Sequence, residues 1–297
     1  MNPSVSTVTT AIKSQPLLWA LGIAVWIRLV PITLHAILVG GAIPYNIGGL
    51  FARFATEIRF HHYALPTSIP YYTIDGLPFA YPPASLYFLA FVTHVLPLAE
   101  VTAINILPTL ISILAVGAFY LLVKQLPLTK TEKVIAVLAW AILPNAYKEQ
   151  TEAAGIAESF GTLAIVLLMA SVIYYLKNRS RWSAAVIGIV WGFAIVASPG
   201  SAIGSFVVVG IVFLSHIVTS SNIKELSTHL LWVGGILATA GALTSFYWVN
   251  VLSAHGWRIF TAPLATVVFV GDSPLADVEY ITRLLLEARP LQTGGVI

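Results

Sequence analysis

Apolar runs of about twenty residues recur along this chain, and that repetition limits its fold more than any other feature. A helix needs about 20 apolar residues to cross the hydrocarbon of a bilayer. Inside that layer every backbone N–H and C=O must be satisfied within the protein, which leaves helices as the simple solution. By this measure transmembrane helices are expected near 17–39, 102–125, 133–147, 158–176, 183–198, 200–218 and 229–250. Composition agrees: 9% of the 297 residues are charged, against about 25% in ordinary soluble domains, and the mean hydropathy is +0.88. The expected fold class is an all-α, polytopic transmembrane helix bundle. The first run, Leu17 to Val39, is longer than a signal-peptide core and carries Arg28, so it reads as a retained anchor.

Basic residues stand at span ends rather than in a patch, so no nucleic-acid partner is expected; the bilayer is the partner. The chain has no cysteine, which excludes disulfides and thiolate metal sites. The run 84–98 is ambiguous, being fifteen residues long with His94 inside. Charge decides it, because cytoplasmic loops collect Lys and Arg. With 84–98 half-inserted, the inner segments hold eight basic residues against two acids, and the outer segments six against ten. The opposite choice throws the basic loops around Lys130 and Arg179 outside. The N-terminus is therefore expected in the cytoplasm. Residues 41–101, the 147–158 turn and 251–297 then share the extracytoplasmic face. The last segment reads as the start of an outer loop, cut short of its natural end.

The first outer loop is the polar stretch of the chain. Ile47, Leu50, Phe51, Phe54 and Ile58 fall at helical spacing, with Arg53 and Glu57 opposite, so 47–62 reads as a juxtamembrane helix lying along the surface. Residues 65–83 are too rich in Pro, Tyr and Gly for a regular element. Several side chains there admit two readings. His61-His62 with Glu57 could hold a divalent cation, or form a ladder Arg53–Glu57–His61 at i, i+4 spacing. Arg53 and Arg59 suit an anionic headgroup. Tyr71, Tyr72, Phe79 and Tyr81 can stack on a sugar or belong to the interfacial aromatic belt. Asp75-Gly76 is a turn pair or supplies a catalytic acid. Glu158 opens the fourth span, as a helix-terminal acid or as a general base facing the loop. Arg28 lies at mid-span, where a charge faces a cleft or anchors a neighbouring helix.

The layout resembles the GT-C glycosyltransferases, multi-pass enzymes that use polyprenyl-phosphate-linked sugars. Ala80-Tyr81-Pro82-Pro83 before SLYFLAFV resembles that family's entry to its second juxtamembrane helix, and Glu158-Ser159-Phe160-Gly161-Thr162-Leu163 resembles the acid-led start of its fourth span. The resemblance implies a seven-span module with two juxtamembrane helices, 47–62 and 84–98, in the first outer loop. It implies transfer at the extracytoplasmic face, with a polyprenyl-phosphate sugar as donor. The candidate acids are Glu158, Glu57 and Asp75. The candidate lipid-phosphate and sugar contacts are Arg53, Arg59, His62, Tyr72, Tyr81 and Arg28. A divalent cation is a candidate cofactor, and other membrane subunits are candidate partners. One departure stands out: the family carries an acid near the start of its first juxtamembrane helix, where this chain has Tyr45, Asn46 and Ile47. A non-catalytic subunit or lipid- or glycan-binding protein of the same architecture is the alternative. A transporter ranks last, since no inverted repeat is visible.

The charge split sets a test of topology in a chain free of native thiols. Cysteines introduced at Ser180 and Ser221 are expected to react only from the cytoplasm, and those at Thr73 and Ser253 only from outside. Labelling of Ser180→Cys from outside would make 84–98 a full span.

Overall fold

The computed structural model describes residues 16–39, 48–70, 76–143, 146–147, 155–219 and 223–259. Nine helices and one small ladder lie among them. They are α1 (Pro16–Val39), α2 (Gly48–Phe60), β1 (Ser68–Ile69), β2 (Leu77–Pro78), α3 (Ala84–Val95), α4 (Glu100–Gln125) and α5 (Lys130–Ile142). There follow α6 (Ile156–Asn178), α7 (Arg181–Ala197), α8 (Pro199–Thr219) and α9 (Ile223–His255). The protein is an all-α membrane bundle. Four of these helices contain a stretch long and apolar enough to cross a membrane: 16–34, 100–125, 156–178 and 230–255. The chain divides into two compact units, 1–250 and 251–297; the first holds the core and every residue discussed below.

Local chemistry sets the helix ends. Thr129 caps α5 reciprocally with Glu132, and Ser180 caps α7 with Ser183. Between α7 and α8 the sequence Ser198-Pro199-Gly200-Ser201 repeats the device: the Ser198 hydroxyl accepts from the Ser201 N–H at 3.1 Å, and the Ser201 hydroxyl accepts from the Ser198 N–H at 3.1 Å. Pro199 occupies the first helical position, where its missing N–H is no loss.

Four extents differ from the sequence expectation, the first being the span expected at 229–250, which runs from 223 to 255. The span expected at 133–147 is a 13-residue helix, 130–142, about 20 Å long at 1.5 Å per residue and shorter than the roughly 30 Å of hydrocarbon. Its capping box starts it early, and extended Leu143, which precedes Pro144, stops it. The segment expected at 84–98 ends at Val95 for the same reason, with extended Leu96 before Pro97. The helix expected at 47–62 stops at Phe60, because His62 and Tyr63 take positive φ, 53° and 64°. Residues 65–83, expected to lack regular structure, hold an antiparallel ladder pairing Ser68 with Pro78 and Ile69 with Leu77. Gly76 needs its glycine there: φ is +81°, and a Cβ would lie 3.2 Å from the Ile69 carbonyl oxygen.

α6 is the hub, packing against α3, α4, α7 and α8. At its N-terminal end Ile156, Phe160 and Ala164 join one core with Phe51, Phe54 and Ile58 of α2, Leu86 and Leu89 of α3, and Ile104 and Ile111 of α4. α2 is thus no free surface helix: most of its length is buried, Glu57 included. Further along the bundle Trp191, Ile195, Val209, Val212, Ile236 and Ala240 tie α7 and α8 to α9. The outward side of α8 keeps Ile203, Phe206, Val207, Ile211 and Leu214 exposed, as a lipid-facing stripe requires.

Small residues let α7 and α9 meet. A Cβ on Gly188 would lie 2.7 Å from the Thr239 Cβ, and one on Gly192 3.3 Å from the Leu243 Cβ. Gly188→Val is expected to lower the melting temperature of the purified protein, at an overpacking penalty of about 1–3 kcal/mol. Gly192→Ala is expected to have a smaller effect. Equal melting temperatures for Gly188→Val and the parent would mean that α9 does not bear on α7.

Candidate functional site

The first turn of α6 ends in a polar group set among aromatic rings. Glu158 is half-buried there, and its Oε2 lies 3.7 Å from the point a Gly200 Cβ would occupy. The carboxylate therefore faces two helix N-termini, that of α6 and that of α8, each presenting partial positive charge. Gly161, one turn along α6, permits this nearness: a Cβ on it would lie 2.5 Å from the Ser198 Oγ and 3.1 Å from the Ser201 Oγ.

Tyr81 approaches the same carboxylate from the loop before α3. Its ring packs 5.3 Å from that of Phe51. Burial, and then the nearby Glu158 charge, push its phenol well above the ordinary range. Tyr81 is held from the other side as well. The Tyr247 hydroxyl on α9 donates to the Ala80 carbonyl at 2.6 Å, and the two phenols are in electrostatic reach of one another. The Phe160 ring packs at a tilt against Phe88, 5.4 Å away, and edge-on to Phe193, 6.0 Å away, closing the apolar side. A carboxylate, a protonated phenol and aromatic faces can together take up a proton and hold a ring-shaped polar ligand.

The other candidates are distributed elsewhere. Glu57 is buried and ion-paired with Arg53 one turn before it, while His61 Nδ1 lies 3.9 Å from Glu57 Oε2. This is the Arg53–Glu57–His61 ladder at i, i+4 spacing. Glu57 stands six residues beyond Phe51, about 9 Å further along α2 from where Tyr81 packs. Arg59 donates to Glu100 Oε1 at 2.9 Å and to the Thr93 carbonyl and hydroxyl at 3.3 Å each, clamping α2 to α3 and α4. His62 is exposed in the turn after α2. Arg28 is buried between α1, α4 and α5, where it meets Ser112 and Trp140. Asp75 and Tyr72 lie outside the described residues. Among the described residues no three His, Cys, Asp or Glu side chains gather as a metal site would require.

The structure thus brings Glu158 and Tyr81 together and adds Tyr247, Gly200 and Ser198, which sequence reasoning missed. Tyr247 sits in an apolar span beside Trp248, where nothing separates it from an interfacial aromatic. Ser198-Pro199-Gly200 reads as a turn between two spans, and its closeness to Glu158 is set only by packing.

No protein-family profile matches the sequence, and neither does any curated protein sequence. Solved structures do match. The apo oligosaccharyltransferase of Archaeoglobus fulgidus superposes with a TM-score of 0.51 and 14% identity, over 95% of this chain and 40% of that one. AglB from the same organism, solved with an inhibitory peptide and a dolichol-phosphate, gives 0.51 and 14% over 94% and 40%. The fold is like that of these archaeal oligosaccharyltransferase structures. The chain spans about two fifths of the length of these structures, and at this identity the likeness concerns the fold alone.

The Arg59 clamp can be tested directly. Both partners are about a third exposed, so Arg59→Gln is expected to destabilise the protein by only about 1 kcal/mol. Glu100→Gln should do the same, and the double variant should be no worse than either single one. Fully additive losses, read by thermal melting, would show that the two side chains act independently.

Proposed function

We propose that this chain is a membrane-embedded glycosyltransferase of GT-C type, or a module of one, acting on a polyprenyl-phosphate-linked sugar at the extracytoplasmic face. The observation that carries the reading is the meeting of Glu158 and Tyr81 at the N-terminal end of α6 in a GT-C-like bundle. AglB, whose fold is shared, has been seen with a dolichol-phosphate, which supports a polyprenyl lipid as partner. In the proposed step Glu158 takes the proton of an acceptor hydroxyl as its oxygen bonds to the anomeric carbon. The bond from that carbon to the lipid phosphate breaks, and the phosphate leaves with the electron pair. Tyr81, with Tyr72, contacts the sugar. Of the three cations expected near the phosphate, Arg59 is held by Glu100 and Arg53 by Glu57, so the exposed His62 is the better contact.

A second reading keeps the architecture and drops the chemistry. No Asp or Glu lies between Arg28 and Glu57 in the sequence, and Glu57 is buried and ion-paired. This favours a lipid- or glycan-binding subunit of a larger membrane assembly. One experiment separates the two. Sugar transfer from a panel of polyprenyl-phosphate sugars is measured in lipid for the parent, Glu158→Gln, Glu57→Gln and Asp75→Asn. Loss of a general base typically lowers the rate 10²- to 10⁴-fold, and the helix-dipole contribution removed with it is only about 0.3–1 kcal/mol. Glu158→Gln is therefore expected to fold and to lose transfer, with Glu57→Gln close to the parent. Transfer indifferent to all three changes would sink the assignment of the base. Binding of the lipid without transfer by the parent would favour the second reading.

A further inference from the structure

The most demanding group in the molecule lies outside the site just described. Arg28 stands twelve residues into α1 and eleven from its end, and it is 0% exposed. Its Nε donates to the Ser112 hydroxyl of α4 at 3.1 Å and its Nη1 to the Ala24 carbonyl at 3.2 Å. The guanidinium also lies over the Trp140 ring, 4.7 Å from its centroid, and 5.9 Å from that of Tyr147. Its Nη2 meets no hydrogen-bond partner among the described residues, and no carboxylate among them pairs with it.

A second buried atom is orphaned close by. Thr109 Oγ1 is unpartnered and its residue 1% exposed. It lies three residues before Ser112, and side chains at that spacing on a helix are neighbours, about 5–6 Å apart. Asn105, Thr109, Ser112 and Val116 follow one another at i, i+4 and i, i+3 steps, and Val116 packs with Ala24 and Ala141 in the core shared by α1, α4 and α5. The polar part of this stripe runs from Arg28 toward the Glu100 end of α4. Aromatic faces, one hydroxyl and one carbonyl ease the burial of the cation, but among the described residues none offsets its positive charge. A bridging water would meet the N–H and leave that charge in place. A bound anion answers both demands.

We propose that Arg28, Ser112 and Thr109 form a binding site for a small inorganic anion of the halide class, roofed by Trp140. The site is separate from Glu158 and independent of the glycosyl-transfer reading. Its position under an indole gives a direct readout, since iodide quenches tryptophan fluorescence on contact.

The protein is reconstituted in lipid nanodiscs and exchanged into gluconate, then titrated with iodide. The eight tryptophans are expected to show a linear collisional background plus one saturable component that chloride removes by competition. Trp140→Phe should delete that component without altering the anion's protection against heat. Arg28→Gln should delete both. Arg28→Lys, which keeps the charge and loses the fork, should retain the component with roughly tenfold weaker binding, the loss of about one charged hydrogen bond. The parent alone can refute the proposal, so variants that fail to fold do not protect it. Purely linear quenching with no competition by chloride would overturn the site. So would a saturable component that persists in Arg28→Gln. So would one that emerges only in Glu149→Gln or Glu152→Gln, because the counter-charge would then be the chain's own carboxylate.

Discussion

At Gly161 the α6 backbone comes so near the α7–α8 turn that any side chain would collide with the Ser198 hydroxyl. The geometry of the whole Glu158 end follows from that contact. It seats the capped start of α8 against the first turn of α6 and brings Gly200 to the Glu158 carboxylate. It also aligns Phe160 between Phe88 and Phe193, so the loop helices rest on the same helix that carries the acid. Small residues do similar work where α7 meets α9, at Gly188 and Gly192. In hydrocarbon, helices gain little from hiding apolar surface and depend instead on close van der Waals contact. The positions of the glycines therefore decide which helices become neighbours.

Charge is handled in three different ways. Arg53 and Glu57 satisfy one another within a single helix, which lets a carboxylate be buried beneath the loop. Arg59 and Glu100 reach across three helices and join elements distant in sequence. Because that pair is partly exposed, its worth lies more in fixing orientation than in stability. Arg28 uses neither device and leans on indole, phenol and hydroxyl. Glu158 differs from all three in lying beside Tyr81 and the start of α8.

The bundle was legible in the sequence because lipid as solvent leaves so few alternatives. A run of about twenty apolar residues must be a helix, and α1, α4, α6, α8 and α9 lie where their runs do. Ends were less legible. Leu96 and Leu143 look like the residues around them, and only the prolines that follow tell where α3 and α5 stop. The amphipathic spacing of 47–58 located α2 but misjudged its surroundings. A polar stripe reads as solvent-facing until another element covers it, and here Glu57 is covered.

The site divides the same way. Sequence alone singled out Glu158, because an acid at a helix start next to small residues is a local pattern, and it singled out Tyr81 within a Pro-rich loop. It could not join them, since their meeting depends on how α3 sits on α6, nor could it find Tyr247, 167 residues from the carbonyl that it grips. It offered Arg53 and Arg59 together as headgroup cations, and also offered the local ladder from Arg53 to Glu57. The structure shows that ladder, while the Arg59–Glu100 pair, 41 residues apart, is set by tertiary packing alone. Local chemistry and the solvent fix which segments become helices. Which polar side chains are left to act is decided by long-range contacts between those helices, and no pattern along the chain records them.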